Sequence, residues 1–413
     1  MTQTARSEGR PCVLVIGYSG ANNTGAEALL LTDIEDLRDV LGPQASITVP
    51  SLDVRNLRRY LQESPRLSIL RIPSIFFVKV WRLMKAHDAL VLVEGSTFMD
   101  TWGSALLWYF LWAAWCARRQ GKPCLAYAVD AGKLCRRNRY LTRRIASRMD
   151  LIVVRARAAA DRLRACGVTA PIEVSADNAL MFTPDASQTD HAGQSWAGAT
   201  GAVGLAVVNF HLFPVRLRPF ASKADIYRWP YAFSRSRERT RAALALATAY
   251  AELADWIVEE QDRSVALICM EELDSPFAEA VRGRMQNPDR VRVFSSRDFN
   301  ASQMTGLLRS LDLLVTSRYH AAVLSLEAAV PQVAVGHDFR LRALYEELGL
   351  TAFFVEPHTG ELVETLKRHV RGLLADPESV RTTLRRGHAE LVARARRNRD
   401  HLRAFFSDRG WAL

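Results

Sequence analysis

Residues 311–336 read "LDLLVTSRYHAAVLSLEAAVPQVAVG", two apolar runs joined by a stretch with the length and composition of a helix. Continuous apolar runs of this kind are typical of strands that are buried on both faces of a parallel sheet. A helix between two such runs is the usual connection between parallel strands. The segment therefore predicts a β–α–β unit and, with it, an α/β fold with a doubly wound sheet.

Apolar runs alternate with helical stretches along the whole chain, with one interruption. Residues 183–201 are rich in Gly, Ser, Thr, Asp and Gln, which is typical of a linker. The alternation on both sides predicts two Rossmann-like doubly wound domains in a GT-B-like arrangement. We expect an N-terminal domain at 1–185, a linker at 186–202, a C-terminal domain at 203–376 and a helical tail at 377–413. Ligands would then bind between the domains, at the carboxyl ends of the strands.

The chain has 413 residues and a net charge of +11, which favours an anionic partner such as a phosphorylated substrate, nucleic acid or an acidic membrane. A general bias towards Arg and Ala would explain the same charge. The six cysteines show no CxxC pair and no spacing that suits zinc, so we expect free thiols and no metal site. The N-terminus lacks an apolar signal core, and the apolar run 105–117 is too short to span a membrane. These features predict a cytoplasmic protein.

Arg318 and His320 lie where the predicted strand at 311–317 gives way to the following helix. An arginine offers a fixed fork of donors to a carboxylate or phosphate, and a histidine transfers protons near neutral pH. Unpaired N–H groups at the helix start would add to such an anion site. A lone histidine at a helix start is more often a surface cap, but the arginine two residues away favours a catalytic pair.

The first loop, "GYSGANNTGAEA" at 17–28, also joins a strand to a helix. Its glycines would let the backbone approach a ligand, although their spacing does not match the GxGxxG dinucleotide fingerprint. We predict that Asn22 and Asn23 contact a saccharide acceptor. The alternative is that both asparagines are turn and cap residues of an ordinary strand–helix connection.

Carboxylates and an arginine follow other predicted strands of the N-terminal half. Glu94 and Asp100, in "VEGSTFMDTWG", could orient or deprotonate a sugar hydroxyl, although Asp100 could also cap the helix at 104–119. Arg155 ends a strand and suits a carboxylate or phosphate. Asp177, in "SADNALMF", is predicted to line the same site, as a hinge residue or as the partner of an arginine.

Four segments together resemble the polysaccharide pyruvyl transferase family, whose members adopt GT-B-like folds. They are "GYSGANNTGAEALL" (17–30), "VVRARAA" (153–159), "SADNALMF" (175–182) and "SRYHAAVLSLEAAVPQVAV" (317–335). The last is the most specific, since it nearly reproduces the family's "sRlHaliiAaaxgvPvi" motif. The order and spacing of the four agree with the family over most of the chain.

Several positions depart from the family's pattern, mainly in the N-terminal half. Ala26 stands where the family usually has Asp, and Ala159 stands where it has Ser. Residues 93–97 replace a Gly-Gly-Gly run, and residues 129–134 replace a "QGxGP" piece. We therefore expect an intact donor half and an acceptor half that has diverged.

The resemblance implies a pyruvyltransferase that needs no cofactor, takes phosphoenolpyruvate as donor and forms a pyruvate ketal on a saccharide. The acceptor would be a glycan precursor, in lipid-linked or cell-surface form. On this interpretation Arg318 and Arg155 clamp the charged ends of the donor, and His320 protonates its enol carbon. Ser317 and Tyr319 are expected to complete the donor site. The acceptor-side residues are Asn22, Asn23, Glu94, Asp100 and Asp177.

Two other functions are compatible with the sequence. A GT-B nucleotide-sugar glycosyltransferase would use Glu327 to hold a ribose. A non-enzymatic basic module would use the interleaved aromatic and basic residues of 209–241 to bind nucleic acid. We favour a third interpretation of this region, in which 210–236 is a mobile lid over the acceptor that contacts the anionic inner face of the membrane. Its alternative is a lid that packs on its own domain.

Overall fold

The structure, a computed structural model, describes residues 11–101, 103–209, 212–336, 338–357 and 361–411. The chain forms two compact units. The first comprises Met1–Ala21, Leu29–Met181 and Ala393–Leu413, and the second comprises Asn22–Ala28 and Phe182–Val392. No helix in the described part of the chain combines the length and the apolar character that crossing a membrane requires.

The first unit is a doubly wound α/β domain. Its strands are β1 (Cys12–Ile16), β2 (Ser46–Ser51), β3 (Leu67–Arg71), β4 (Ala89–Leu92), β5 (Cys124–Val129), β6 (Leu151–Val154) and β7 (Ile172–Val174). Its helices are α1 (Thr24–Leu41), α2 (Val54–Leu57), α3 (Phe77–Ala86), α4 (Ser104–Arg119), α5 (Arg136–Ala146) and α6 (Arg157–Cys166). The strands form one parallel sheet in the order β3-β2-β1-β4-β5-β6-β7. The order reverses between β1 and β4, which is the point where sheets of this kind bind ligands.

The second unit repeats this architecture. Its parallel strands are β8 (Val203–Ala206), β12 (Val265–Cys269), β13 (Val291–Ser295), β14 (Leu313–Thr316), β15 (Gln332–Val335) and β16 (Phe354–Val355). Its helices are α7 (His191–Ser195), α8 (Arg237–Glu260), α9 (Ser275–Arg282), α10 (Ala301–Arg309), α11 (Tyr319–Ser325), α12 (Phe339–Glu347) and α13 (Leu362–Ala375). The strand order is β13-β12-β8-β14-β15-β16, so this sheet reverses between β8 and β14. The predicted class of two Rossmann-like α/β domains is confirmed.

Both faces of the first sheet are buried, which explains the continuous apolar runs in the sequence. Side chains alternate along β1, so Val13 and Val15 join one apolar cluster while Leu14 and Ile16 join another. All four side chains are inaccessible to solvent. Helices α3 to α6 cover one face, and α1 with the end of the last helix, α14 (Glu378–Ser407), covers the other.

A small antiparallel sheet occupies the predicted lid at 210–236, within which Phe210 lies outside the described residues. Its strands are β9 (Val215–Leu217), β10 (Ile226–Arg228) and β11 (Tyr231–Phe233), in the order β10-β11-β9. Phe213 and Phe233 are buried against Ala243 of α8. Phe213 and Phe233 therefore pack on their own unit. This agrees with the alternative prediction, in which the lid packs on its own domain. Its exposed large apolar side chains are Leu217, Phe220, Ile226 and Trp229.

The two units differ from the predicted domain boundaries in three places. Residues 22–28 belong to the second unit, to which they are bonded through Thr24 N and Met270 O at 2.9 Å. The predicted linker contains α7 and is held to the second unit by a 2.7 Å hydrogen bond from Asn300 to Gln188. The predicted tail continues as α14, whose residues up to Val392 belong to the second unit and whose later residues belong to the first.

A buried polar network lies inside the first unit, around helix α1. Asn178 donates hydrogen bonds to Asp33 (2.7 Å) and Asp36 (2.9 Å), and Tyr127 donates to Asp36 at 2.7 Å. Arg399 of α14 donates to the same Asp36 carboxylate at 2.8 Å. Burial, reinforced by the negative charges of nearby carboxylates, raises the pKa of Asp33 well above its usual range. Folding therefore favours the protonated form of Asp33 relative to the unfolded chain.

The raised pKa of Asp33 predicts that stability falls with rising pH, because the folded state binds the Asp33 proton more tightly than the unfolded chain. The loss begins above the unfolded pKa of about 3.9 and amounts to about 1.4 kcal/mol per pH unit until the folded pKa is reached. Asp33→Asn should remove this component of the slope. Urea unfolding of wild type and variant from acidic to neutral pH measures it. Glu35→Gln, an exposed change on the same helix, is the control, and parallel slopes for wild type and Asp33→Asn would refute the prediction.

Candidate functional site

The turn after β14 places Arg318 and His320 at the carboxyl edge of the second sheet. Thr316 Oγ1 accepts a hydrogen bond from Arg318 N and donates one to Arg318 O, both at 2.9 Å. Ser317 N donates to Ala206 O of β8 at 2.9 Å, so the turn is fixed beside the strand where the sheet order reverses. His320 then lies in the first turn of α11.

Two carboxylates of the second unit hold the Arg318 side chain. Arg318 Nε donates to Asp274 Oδ2 at 2.9 Å, Nη2 forms a close ion pair with Asp274 Oδ1, and Nη1 lies 3.3 Å from Glu271 Oε2. The side chain is 14% exposed, and Asp274 is buried. Burial alone would lower the pKa of Arg318, but the charges of Asp274 and Glu271 outweigh it and raise that pKa. Arg318 is thus an oriented, permanently charged cation whose charge is largely compensated.

Sequence reasoning missed Glu271 and Asp274. Both follow the apolar run that became β12, in the stretch "MEELD" at 270–274. Position at a strand end was the signal that could have identified them, since it is the same signal that identified Arg318 and Arg155.

Helix α1 begins directly against the imidazole of His320. A Cβ atom added to Gly25 would lie 2.0 Å from His320 Nδ1 and 2.3 Å from its Cγ, so only glycine fits at this position. The Tyr319 ring contacts the imidazole edge-on, with ring centroids 5.2 Å apart. His320 is half-buried and confined between these groups.

The two predicted acceptor asparagines belong to this same unit. Asn23 Oδ1 accepts from Ala26 N at 3.1 Å and so caps α1, while Asn22 has a positive φ of 48° and donates to Glu272 at 2.6 Å. Ser296 donates to the Asn22 carbonyl at 2.6 Å. The asparagines are therefore turn and cap residues, and they lie with His320 in the second unit instead of in the predicted N-terminal acceptor domain. The reason is the set of hydrogen bonds that fixes residues 22–28 to the second unit.

Arg155 lies at the end of β6 in the first unit, but its side chain is fully buried between two carboxylates. Nε donates to Asp130 Oδ2 at 2.9 Å, and Nη1 lies 2.5 Å from Asp177 Oδ2. A Cβ on Gly95 would come within 2.6 Å of the guanidinium, so the loop after β4 packs tightly on it. The triad of Arg155, Asp130 and Asp177 holds loops together, and its burial argues against the predicted direct clamp on a donor.

Glu94 and Asp100 bond to neighbouring loops of the first unit. Glu94 is buried and accepts from Tyr18 N and from Ser96 N, both at 3.2 Å, at the point where the first sheet reverses. Asp100 accepts from Cys135 N at 2.9 Å and from Asn138 at 2.7 Å. Asp100 therefore stabilises the start of α5. The sequence had offered the preceding helix, at 104–119, as the one that Asp100 caps.

The predicted site residues form two groups, one in each unit. In the second unit Ser317, Arg318, Tyr319 and His320 lie with Asn22 and Asn23. In the first unit Glu94 adjoins Gly95, which abuts the Arg155–Asp177 pair, while Asp100 lies apart at α5. In the described part of the chain, no group of three or more His, Cys, Asp or Glu side chains is arranged to hold a metal ion.

A family model, polysaccharide pyruvyl transferase, matches residues 23–339 of this chain. The chain belongs to the polysaccharide pyruvyl transferase family. The match covers most of the chain and includes Arg155, Arg318 and His320. Members of this family are transferases, so the predicted enzyme class is confirmed.

The chain is also similar to a polysaccharide biosynthesis protein and to solved structures. The amylovoran biosynthesis protein AmsJ of Erwinia amylovora is 22% identical over 276 residues, which are 65% of this chain and 61% of AmsJ. Anabaena HepE in complex with UDP-glucose superposes with a TM-score of 0.60 at 12% identity, over 97% of this chain and 100% of HepE. The UDP-GlcNAc 2-epimerase of Methanocaldococcus jannaschii gives a TM-score of 0.56 at 13% identity, over 87% and 91% of the two chains. At these identities the structural likeness shows a GT-B-type fold and nothing further.

Gly25→Ala should destabilise the protein, because the new methyl group collides with the His320 ring. Overpacking of this kind costs about 1–3 kcal/mol. Chemical unfolding measures the loss. Gly372→Ala on α13 is the matched control, since nothing lies within 4 Å of its added Cβ. Equal stabilities of Gly25→Ala and wild type would show that α1 does not confine the imidazole.

Arg155→Ala should lower the free energy of unfolding by about 3–5 kcal/mol, since it leaves two buried carboxylates without their cation. Arg157→Ala, an exposed arginine two residues away, should have little effect. Chemical unfolding of both variants tests this. A stable Arg155→Ala protein with weakened donor binding would instead support the prediction that Arg155 contacts the donor directly.

Proposed function

We propose that this protein moves the pyruvate unit of phosphoenolpyruvate onto a saccharide, forming a pyruvate ketal during polysaccharide assembly. The observation that carries the proposal is the Arg318–His320 pair at the reversal point of the second sheet, within the family's most specific motif. Family membership supports the reaction class. The similarity to an amylovoran biosynthesis protein supports a polysaccharide context.

Donor recognition is assigned to Arg318. Phosphoenolpyruvate carries a phosphate and a carboxylate, and a guanidinium forms strong charge-assisted hydrogen bonds with either group. Asp274 and Glu271 already fix the guanidinium, so little side-chain freedom is lost when the donor binds. Arg155 is buried in its triad, and we therefore propose that it positions the first-unit loop that carries Glu94.

His320 is proposed as the general acid that delivers a proton to C3 of the enol. The C3 methylene becomes a methyl group, and C2 becomes electrophilic. One sugar hydroxyl then adds to C2, the bond between C2 and the phosphate oxygen breaks, and a second hydroxyl closes the ketal. The hydroxyls release two protons, of which one restores His320 and the other leaves with phosphate. The confined imidazole between Gly25 and Tyr319 is oriented for one such transfer.

The acceptor is proposed to be a saccharide with two neighbouring hydroxyls, in a lipid-linked precursor. Glu94 lies at the reversal point of the first sheet and is the candidate base for a hydroxyl. The segment at 212–236 follows β8, the strand beside β14, and is proposed to close over the bound substrates. Two of its exposed apolar side chains, Phe220 and Trp229, would become covered on closure.

A nucleotide-sugar transferase is the second candidate, because HepE, a structure of similar fold, was solved with UDP-glucose. The residue that would hold the ribose in this alternative is Glu327. It is exposed and forms a 2.6 Å ion pair with Arg309, near the C-terminal end of α11. This position argues against a ribose contact at a helix start.

Incubation with phosphoenolpyruvate and a panel of saccharides, followed by mass spectrometry and a phosphate assay, tests the proposal. We expect one acceptor to gain a pyruvate ketal together with stoichiometric phosphate release. Parallel reactions with UDP-sugars test the alternative. Consumption of a UDP-sugar without any release of phosphate from phosphoenolpyruvate would overturn the proposed function.

His320→Ala should lower the turnover number about 10²–10⁴-fold while donor binding is retained, because the variant lacks the proposed acid. Steady-state phosphate release and calorimetric titration with phosphoenolpyruvate measure the two quantities. His369→Ala, a histidine on α13, is the matched control. Wild-type turnover in His320→Ala would show that this histidine is structural.

Arg318→Ala should weaken phosphoenolpyruvate binding by about 2–5 kcal/mol, and Arg318→Lys should restore only part of it, because lysine lacks the planar fork. Calorimetry measures the affinities, and thermal unfolding checks that each variant is folded. Arg297→Ala is the control, since it removes an exposed arginine just after β13, at the same edge of the sheet. Unchanged affinity in folded Arg318→Ala would remove Arg318 from the donor site.

A further inference from the structure

Helix α3 of the first unit and the residues just before it expose a run of large apolar side chains. Ile75 and Val78 are 62% and 63% exposed, and Phe77 and Trp81 are 42% and 37% exposed. Single apolar residues are normal on a protein surface, but four within seven positions form a contiguous patch. The opposite side of the helix is buried through Val80, Leu83 and Met84, so the orientation of α3 is fixed. Its outer side therefore combines apolar side chains with the exposed cations Arg82 and Lys85.

Tryptophans of α4 extend this patch into a continuous aromatic strip. The rings of Phe77 and Trp112 lie 5.2 Å apart, those of Trp112 and Trp115 stack at 4.7 Å, and those of Trp115 and Trp81 lie 5.8 Å apart. Trp112 Nε1 donates to Phe77 O at 2.9 Å, which joins α4 to the start of α3. Tryptophan combines an apolar ring with a polar N–H and is therefore suited to the boundary between water and lipid.

The three stretches of chain that form this face carry many basic residues. The stretches 71–87, 104–122 and 132–149, which contain α3, α4 and α5, include no Asp or Glu. Two of their cations have carboxylate partners from outside these stretches, through Arg118–Asp150 at 2.8 Å and Lys122–Asp88 at 3.7 Å. The exposed basic side chains are Arg71, Arg82, Lys85, Arg118, Arg119, Lys133, Arg136, Arg137, Arg139, Arg143, Arg144 and Arg148.

A cavity of about 480 Å³ opens at the end of the strip. Trp115, Ile145, Ser147 and three arginines line it. The arginines are Arg118, Arg119 and Arg148. An apolar wall beside three guanidinium groups and a hydroxyl matches a phosphate that is attached to a hydrocarbon.

We propose that the α3–α4–α5 face of the first unit docks onto an anionic phospholipid membrane. The aromatic strip enters the headgroup layer, the surrounding arginines contact lipid phosphates, and the cavity takes one headgroup. A nucleic acid would match the cations but would leave Ile75 and Val78 in water. The segment at 212–236 is the weaker membrane candidate, because Phe213 and Phe233 are buried and Arg235 pairs with Asp225 at 3.2 Å.

Vesicle flotation with the full-length protein tests this surface. Wild type should float with phosphatidylcholine vesicles that contain phosphatidylserine, and much less with phosphatidylcholine alone. Binding should fall as salt rises from about 0.1 M to about 1 M, because the Debye length shrinks. Absence of binding to the anionic vesicles at low salt would overturn the proposal, as would tight binding to a mixed-sequence oligonucleotide without vesicle binding.

Three variants locate the surface. Ile75→Ser/Val78→Ser changes the two most exposed positions of the patch, and Arg148→Glu changes the cavity. Both should reduce vesicle binding at least tenfold, while Leu217→Ser/Phe220→Ser in the 212–236 segment should not. The opposite pattern would place the membrane contact on that segment and contradict the proposal. Thermal unfolding shows that each variant is folded.

The membrane surface does not depend on the proposed reaction, and the two can fail separately. Ile75→Ser/Val78→Ser should retain phosphate release with a water-soluble saccharide, since neither side chain is among the residues assigned to chemistry. Arg164→Glu, an exposed arginine of α6, is the charge control for Arg148→Glu. If Arg164→Glu reduces flotation as much as Arg148→Glu does, net charge explains binding and the headgroup cavity is refuted.

Discussion

A parallel sheet that is covered by helices on both faces leaves only the ends of its strands for polar chemistry. In both units the central strands β1, β4, β5, β8 and β12 are apolar, and polar side chains follow where these strands end. Where the strand order reverses, a crevice forms at the carboxyl ends of the strands. The reversal lies between β1 and β4 in the first unit and between β8 and β14 in the second. Glu94 lies at the first of these places, and Arg318 and His320 lie at the second. The positions of the candidate site residues follow from this constraint.

Each unit also places one arginine at a strand end and holds it between two carboxylates. Arg155 pairs with Asp130 and Asp177, and Arg318 pairs with Asp274 and Glu271. The two differ in exposure, since the Arg155 side chain is fully buried and that of Arg318 is 14% exposed. Similar pairing therefore occurs in two different settings, since Arg155 joins loops and Arg318 lies two residues from the half-buried His320. Among the described residues, only the second unit combines such an arginine with an imidazole at the end of a strand.

The sequence predicted most of the parallel strands, the two α/β units and the strand-end positions of Arg318, His320, Arg155 and Glu94, because the pattern of apolar residues along the chain determines these features. It did not predict β3, β7 and β16. It offered Asp177 as the partner of an arginine, which the structure shows for Arg155. It did not predict Asp130, Glu271 or Asp274 as partners, since these ion pairs join residues that are far apart in the chain. It also assigned Asn22 and Asn23 to the wrong unit. Their hydrogen bonds to Glu272 and Ser296 depend on where α1 begins against the second unit, which no local pattern encodes. The antiparallel sheet at 212–236 was missed because its three-residue strands carry no clear alternation.

The central claim is that His320 protonates the enol carbon of phosphoenolpyruvate during ketal formation. The most direct test is the reaction in deuterated water, followed by proton and phosphorus NMR. We expect phosphate release coupled to a ketal methyl group that has gained deuterium at C3, and loss of both signals in His320→Ala. Formation of a saccharide product whose C3 methylene remains intact, or deuterium incorporation that persists in His320→Ala, would contradict it.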